Sequence, residues 1–64
     1  MRISRKKMVC AMMDADLNIM QLAEKAGVSR TTVGSIKNGK SCAPATVGKI
    51  AEALGVDVTE IIEE

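Results

Sequence analysis

The stretch LAEKAGVSRTTVGSIKNG, residues 22–39, decides the fold of this 64-residue chain, because it predicts two short helices joined at one glycine. Apolar residues before Gly27 recur at helical spacing, which is typical of a helix with one buried face. Gly27 can adopt the positive φ that ends a helix at low cost. Ser29 then caps a second helix, and Asn38-Gly39 ends it. A turn this tight predicts helices that cross steeply.

The second of these helices has an inner and an outer face. Val33 and Ile36 lie three residues apart and are expected to point inward. The outer residues are small, polar or cationic and include no acid: Arg30, Thr31, Thr32, Gly34, Ser35 and Lys37. Such a surface suits the major groove of DNA, which admits one α-helix and is read by side-chain hydrogen bonds.

Length and composition favour one small all-α domain spanning residues 1–64, with a core that contains no aromatic side chain. The net charge is only +1, but it is unevenly distributed. Between residues 25 and 49 there are five bases and no acid, whereas from Glu52 onward there are five acids and no base. This asymmetry can orient the molecule on a polyanion. The alternative is solvated charge without a partner.

Several classes of function are not expected. The chain has no histidine and only two cysteines, Cys10 and Cys42, which predicts reduced thiols, no metal site and no cofactor. No nucleophile–base pair or glycine-rich phosphate loop indicates an enzyme. Because the chain has no aromatic ring on which a base could stack, neither RNA nor single-stranded DNA is expected as the main ligand. No membrane span, signal peptide or small-molecule ligand is evident, so we expect a cytoplasmic protein.

The rest of the chain predicts three more helices, giving five in all. Ser4 can cap a helix over about residues 5–15, and Asn18 with Gln21 forms a capping box for the helix over about residues 19–26. Pro44 fits the first turn of a fourth helix that Gly55 ends. Asp57 is expected to cap a last helix over about residues 58–63. Acids at positions 14 and 16 oppose the helix dipole and predict fraying at the end of the first helix.

Three segments together resemble a known family. LAEKAGVS at residues 22–29, NGK at 38–40 and KIAEALGV at 49–56 are similar to the phage-repressor-like Cro/cI (XRE) helix-turn-helix family. The resemblance covers about residues 8–62. It implies a compact five-helix lambda-repressor-like domain in which helices 2 and 3 form the helix-turn-helix.

The resemblance also implies roles for individual residues. Those facing bases would be Arg30, Thr31, Thr32 and Ser35. Those contacting phosphates would be Asn18, Ser29, Asn38 and Lys40. Arg30 is the side chain that can bind guanine O6 and N7 with two hydrogen bonds.

The chain departs from the family pattern at three places. Ile19 stands where the family often has a phosphate-contacting Gln. Met12 and Lys37 replace an Arg–Glu pair that links helix 1 to helix 3, which leaves Lys37 available to a phosphate. Ala43 replaces the usual Ser or Thr cap of helix 4, which weakens that cap by about 1 kcal/mol.

The resulting hypothesis is a transcriptional repressor that binds double-stranded DNA at a palindromic operator as a homodimer, because one short helix reads too few base pairs to select a site. In 64 residues we expect dimerisation through the C-terminal Ile61 and Ile62. The alternative surface is the outer face of helices 1 and 2, with Met13, Ile19 and Met20. A different function is also open, an antitoxin-like protein-interaction module for which DNA binding is secondary.

Overall fold

The computed structural model describes residues 1–63, which form four α-helices and one 3-10 turn. The helices are α1 (Arg5–Ala15), α2 (Ile19–Ala26), α3 (Arg30–Lys37) and α4 (Pro44–Leu54). The 3-10 turn covers Val58–Glu60. The prediction of an all-α fold is therefore confirmed, but the fifth helix is replaced by this single turn.

The last helix is short because Ile61 and Ile62 have different environments. Ile61 is wholly buried, whereas Ile62 leaves the turn and forms an isolated antiparallel bridge with Ile3. Ser4 N–H donates to the Ile61 carbonyl at 2.7 Å, so that carbonyl bonds outside any helix. Two adjacent isoleucines cannot share one helical stripe, and after the single turn Ile62 pairs with Ile3 instead of continuing a helix.

Helix starts follow the predicted caps. The Ser4 hydroxyl accepts Lys7 N–H at 3.3 Å. Asn18 and Gln21 form the reciprocal capping box, with bonds of 2.8 and 2.9 Å. Ala43 makes no side-chain cap, as its methyl group requires, and Pro44 follows it at the first helical position.

The end of α1 is closed, so the predicted fraying is wrong. Asp16 adopts φ 57°, and the N–H of Leu17 donates to the Met12 carbonyl at 3.0 Å. Asp is one of the few residues that tolerate this left-handed conformation, and the bond satisfies a carbonyl at the helix end. The unfavourable dipole is outweighed by this closing bond and by packing.

The core is built from all four helices and both ends of the chain. α2 packs against both α3 and α4. The largest fully buried side chains are Ile3, Met8, Leu22, Val33, Ile36, Val47, Ile50 and Ile61. All are aliphatic or Met, which explains how a core forms without an aromatic residue.

Residues 1–4, here called the N-terminal strap, lie between two distant parts of the chain. On one side Cys42 N–H donates to the Met1 carbonyl at 2.7 Å. On the other, Glu63 N–H donates to the Arg2 carbonyl at 2.9 Å. The strap therefore links the loop after α3 to the C-terminal segment.

Among the described helices, none is long and apolar enough to cross a membrane.

Candidate nucleic-acid interface

The turn between α2 and α3 positions the candidate recognition helix. Gly27 has φ 73°, a conformation in which a side chain would be strained, and this reverses the chain. Val28 N–H donates to the Ala23 carbonyl at 3.1 Å, and the half-buried Val28 side chain packs on the core. The Ser29 hydroxyl accepts Thr32 N–H at 3.1 Å and starts α3. Local bonds thus fix the angle at which α3 leaves the turn.

α3 divides into the two faces predicted from its sequence. Val33 and Ile36 are buried and anchor the helix to the core. Arg30 and Thr31 are exposed, and Thr32, Ser35 and Lys37 are half-buried. Of the side chains predicted to face bases, Arg30 and Thr31 are thus well exposed, whereas Thr32 and Ser35 are partly covered. Ser29 and Thr32 also bond to each other through their hydroxyls, at 2.8 Å.

The structure shows a side-chain contact of Arg30 that was not predicted from the sequence. Its Nη1 lies 3.9 Å from the sulfur of Met20, in a weak hydrogen bond between α3 and α2. Met20 is 48% exposed, so this contact is at the surface. The sequence placed Met20 on the alternative dimerisation surface and did not predict this contact, because a contact between two helices cannot be read from local spacing.

The residues predicted to contact phosphate lie at helix ends around α3. Asn18 caps α2 and Ser29 caps α3, while Asn38 is the C-cap of α3. Lys40 is exposed, and its N–H donates to the Ser35 carbonyl at 3.1 Å, which fixes the loop to α3. Helix N-termini favour anions, because their first N–H groups have no partner within the helix.

The electrostatics of this surface favour an anionic partner. Within residues 1–63 neither Arg30 nor Lys37 nor Lys40 forms an ion pair with a carboxylate. Among the described residues, an ion pair joins Arg2 Nε and Glu63 Oε2 at 3.7 Å, and both side chains are well exposed. An anionic ligand would therefore displace no carboxylate of residues 1–63 from the cations around α3.

The departures from the family pattern have structural consequences. Met12 is buried in the core, where it takes part in apolar packing. Lys37 is half-buried on α3, and no acid faces it in the described chain. Ile19 is half-buried against the core and presents no polar group at the start of α2.

The described chain offers little for other chemistry. Within residues 1–63 no group of three His, Cys, Asp or Glu could hold a metal ion. Cys10 is exposed and Cys42 is half-buried, and both are free thiols. Burial raises the pKa of the Cys42 thiol, and the positive N-terminus partly opposes this rise. A raised pKa keeps this thiol protonated and weakly nucleophilic.

Two helices that cross after a short glycine-containing turn, with the second helix exposed on a helical bundle, are the arrangement of helix-turn-helix domains. The helix-turn-helix family model matches residues 12–61. The chain therefore belongs to the helix-turn-helix family of the Cro/cI (XRE) type, a family of DNA-binding regulators that are typically not enzymes.

Solved structures share this fold. Native PhpD with cadmium, and PhpD with cadmium and hydroethylphosphonate, each match at TM-score 0.86 and 25% identity. A hydroxyethylphosphonate dioxygenase mutant matches at TM-score 0.88 and 25% identity. Each match covers 100% of this chain but only 14% of the chain in the matched structure. These matches therefore concern one small domain of a larger protein and carry no catalytic assignment. No curated protein matches the sequence significantly.

Proposed function

We propose that this domain binds double-stranded DNA in a sequence-dependent manner by placing α3 in the major groove. The observation that carries the proposal is the accessible face of α3, where Arg30 and Thr31 are exposed and no carboxylate of residues 1–63 pairs with Arg30, Lys37 or Lys40. An α-helix of eight residues fits the groove, which is about 12 Å wide in B-DNA.

In this proposal the contacts divide into two sets. Arg30, Thr31, Thr32 and Ser35 meet base edges, and Arg30 binds a guanine with two hydrogen bonds. The residues that meet phosphates are Asn18, Ser29, Lys37, Asn38 and Lys40. Asn18 uses its side-chain oxygen to accept Gln21 N–H, so its NH₂ group remains to donate to a phosphate.

We further propose that the protein acts as a homodimeric repressor on a palindromic operator. One α3 touches only a few base pairs, and two copies related by a twofold axis double the readout. Ile61 is wholly buried within the single chain, so of the predicted C-terminal pair only Ile62 has surface to offer a partner.

Ile62→Asp is expected to weaken self-association in sedimentation experiments, with Met13→Asp as the control on the alternative surface.

The test of base recognition is Arg30→Ala, with Arg5→Ala as a matched control because Arg5 is also exposed at the first position of a helix. Loss of a two-hydrogen-bond contact to guanine lowers affinity by about 1–3 kcal/mol and relaxes the preference at one base pair of each half-site. The measurement is a binding titration on duplexes that vary at single positions. Unchanged affinity and preference in Arg30→Ala would show that α3 is not the reading helix.

A protein-interaction module is the second candidate, favoured by one observation: Met13 is 74% exposed. The dependence of binding affinity on salt concentration distinguishes the two candidate functions. Phosphate contacts make affinity fall steeply as salt rises, whereas an apolar protein interface responds little. A complex whose stability is insensitive to salt, and which survives Arg30→Ala but not Met13→Asp, would favour the second candidate.

A further inference from the structure

The N-terminal strap places a guanidinium beside the loop that follows α3. Arg2 Nε donates to the Gly39 carbonyl at 3.1 Å. An ideal Cβ on Gly39 would lie 3.4 Å from Arg2 Nη2, so the guanidinium lies directly over this glycine. Gly39 is flanked by Asn38 and Lys40, the two residues of this loop that the proposed function assigns to phosphate. Arg2 is therefore brought to the phosphate-facing loop from 37 residues away in sequence.

The position of Arg2 is fixed by backbone bonds on both sides of the strap. Cys42 N–H donates to the Met1 carbonyl at 2.7 Å, and Glu63 N–H donates to the Arg2 carbonyl at 2.9 Å. The next residue, Ile3, is buried in the core. The backbone at Arg2 is thus held between two segments, and its side chain is exposed to solvent.

The guanidinium retains most of its donors. Nε is used by the Gly39 carbonyl, and the terminal nitrogens have no hydrogen-bond partner within residues 1–63. A guanidinium carries five N–H groups in a planar fork that matches two phosphate oxygens. The side chain is 56% exposed, so these terminal donors are accessible.

Glu63 is the acid that lies near Arg2. Its Oε2 lies 3.7 Å from Arg2 Nε, with the Glu63 side chain 49% exposed. An exposed pair at this distance contributes little to stability and is easily exchanged for another anion. The carboxylate also adds a negative charge beside the loop, which opposes the approach of a polyanion.

We propose that Arg2 is a further phosphate-binding residue of the DNA interface, and that the carboxylate of Glu63, which lies near Arg2 Nε, opposes phosphate binding there through its negative charge. The proposal rests on the DNA binding proposed above. On binding, the terminal nitrogens of Arg2 contact a phosphate next to the one held by Asn38 and Lys40, while Nε stays on the Gly39 carbonyl. The C-terminal segment thereby weakens DNA binding through one carboxylate.

The test compares Arg2→Gln with Arg5→Gln, which removes the same charge from another exposed arginine. Each phosphate contact contributes about 0.9 to the slope of log affinity against log salt, which corresponds to about eightfold in affinity at 0.1 M salt. Arg2→Gln is expected to lose this amount of slope and affinity, and Arg5→Gln is expected to keep the wild-type slope. Equal slopes in wild type and Arg2→Gln, or equal losses in both variants, would overturn the proposal.

Glu63→Gln keeps the proposal testable even if Arg2→Gln fails to fold. It is expected to bind DNA more tightly than Glu52→Gln, which removes the same charge from an exposed site on α4. Equal affinity of these two variants would show that the charge of Glu63 does not oppose phosphate binding at Arg2. If the wild-type protein binds no duplex at low salt, the proposed function itself fails, whereas a failure confined to Arg2 and Glu63 overturns only this inference.

Discussion

In the proposed function Arg30 is the side chain on which base recognition depends most, and its surroundings affect how it is oriented. The sulfur of Met20 is its recorded polar contact within the described chain, and no carboxylate holds it. A flexible side chain that is ordered only on binding loses about 0.5–1.5 kcal/mol in conformational freedom. If the Met20 contact orients Arg30 in the free protein, we expect it to reduce this loss on DNA binding.

Met20→Ala is therefore expected to weaken DNA binding by about 0.5–1.5 kcal/mol and to broaden the preference at the base pair read by Arg30. Met13→Ala is the control, because it removes the same side chain from a more exposed position. In the Arg30→Ala background, Met20→Ala should have no further effect. Additive losses in the double variant would show that the two side chains act independently.

Among the helices, most of the boundaries could be predicted from sequence, because each is set by a local cap. The Ser4, Asn18 and Ser29 caps and the glycine ends at positions 27 and 55 all act within one turn of the residue concerned. The same local reasoning failed at Asp16, where a closing bond outweighed the helix dipole. It also failed at residues 58–63, where long-range pairing with Ile3 replaced a helix.

In the candidate site, too, the sequence predicted the features that depend on local spacing and missed the contacts between separate segments. Which residues of α3 face outward follows from helical spacing, and Val33 and Ile36 are buried as predicted. Met20 beside Arg30 and Arg2 beside Gly39 depend on contacts between separate segments. A single sequence contains no local signal for such contacts.

Gly34 is a weak point in the middle of α3. A Cβ added there would meet no atom within 4 Å, and the glycine does not have a positive φ. Gly34→Ala is expected to stabilise the fold by about 0.8–1.0 kcal/mol. For a domain of this size, such a change raises the midpoint of thermal unfolding by about 4–8 °C.

Gly27→Ala is the matched control for this prediction. It also adds one methyl group in open space, but at φ 73°, so it is expected to lower the midpoint. Thermal unfolding followed by circular dichroism measures both variants. A lower midpoint for Gly34→Ala would mean that α3 is not a regular helix at this position.

The molecule as a whole is held together by the meeting of its two ends. Ile3 and Ile61 are both fully buried, and the strap connects the loop after α3 to the C-terminal segment. Domains of this length have a free energy of unfolding of about 3–10 kcal/mol, on the basis of typical values per residue. A substitution that leaves one large cavity in the core can therefore remove much of the free energy of unfolding.

Ile61→Ala is expected to lower the free energy of unfolding by about 2–5 kcal/mol, because it leaves a cavity in the core. Ile62→Ala removes the same atoms from a half-buried position and is expected to have a smaller effect. Urea unfolding of both variants provides the comparison. Equal losses would contradict the assignment of Ile61 to the core and Ile62 to the surface.

Base reading by α3 in the major groove of double-stranded DNA can be measured by selecting bound duplexes from a random pool at low ionic strength and sequencing them. We expect an enriched palindrome whose half-sites are about 10 base pairs apart, centre to centre, with a guanine in each half that disappears from the pool selected by Arg30→Ala. If no duplex is retained, or if Arg30→Ala enriches the same sequence as the wild-type protein, α3 does not read bases.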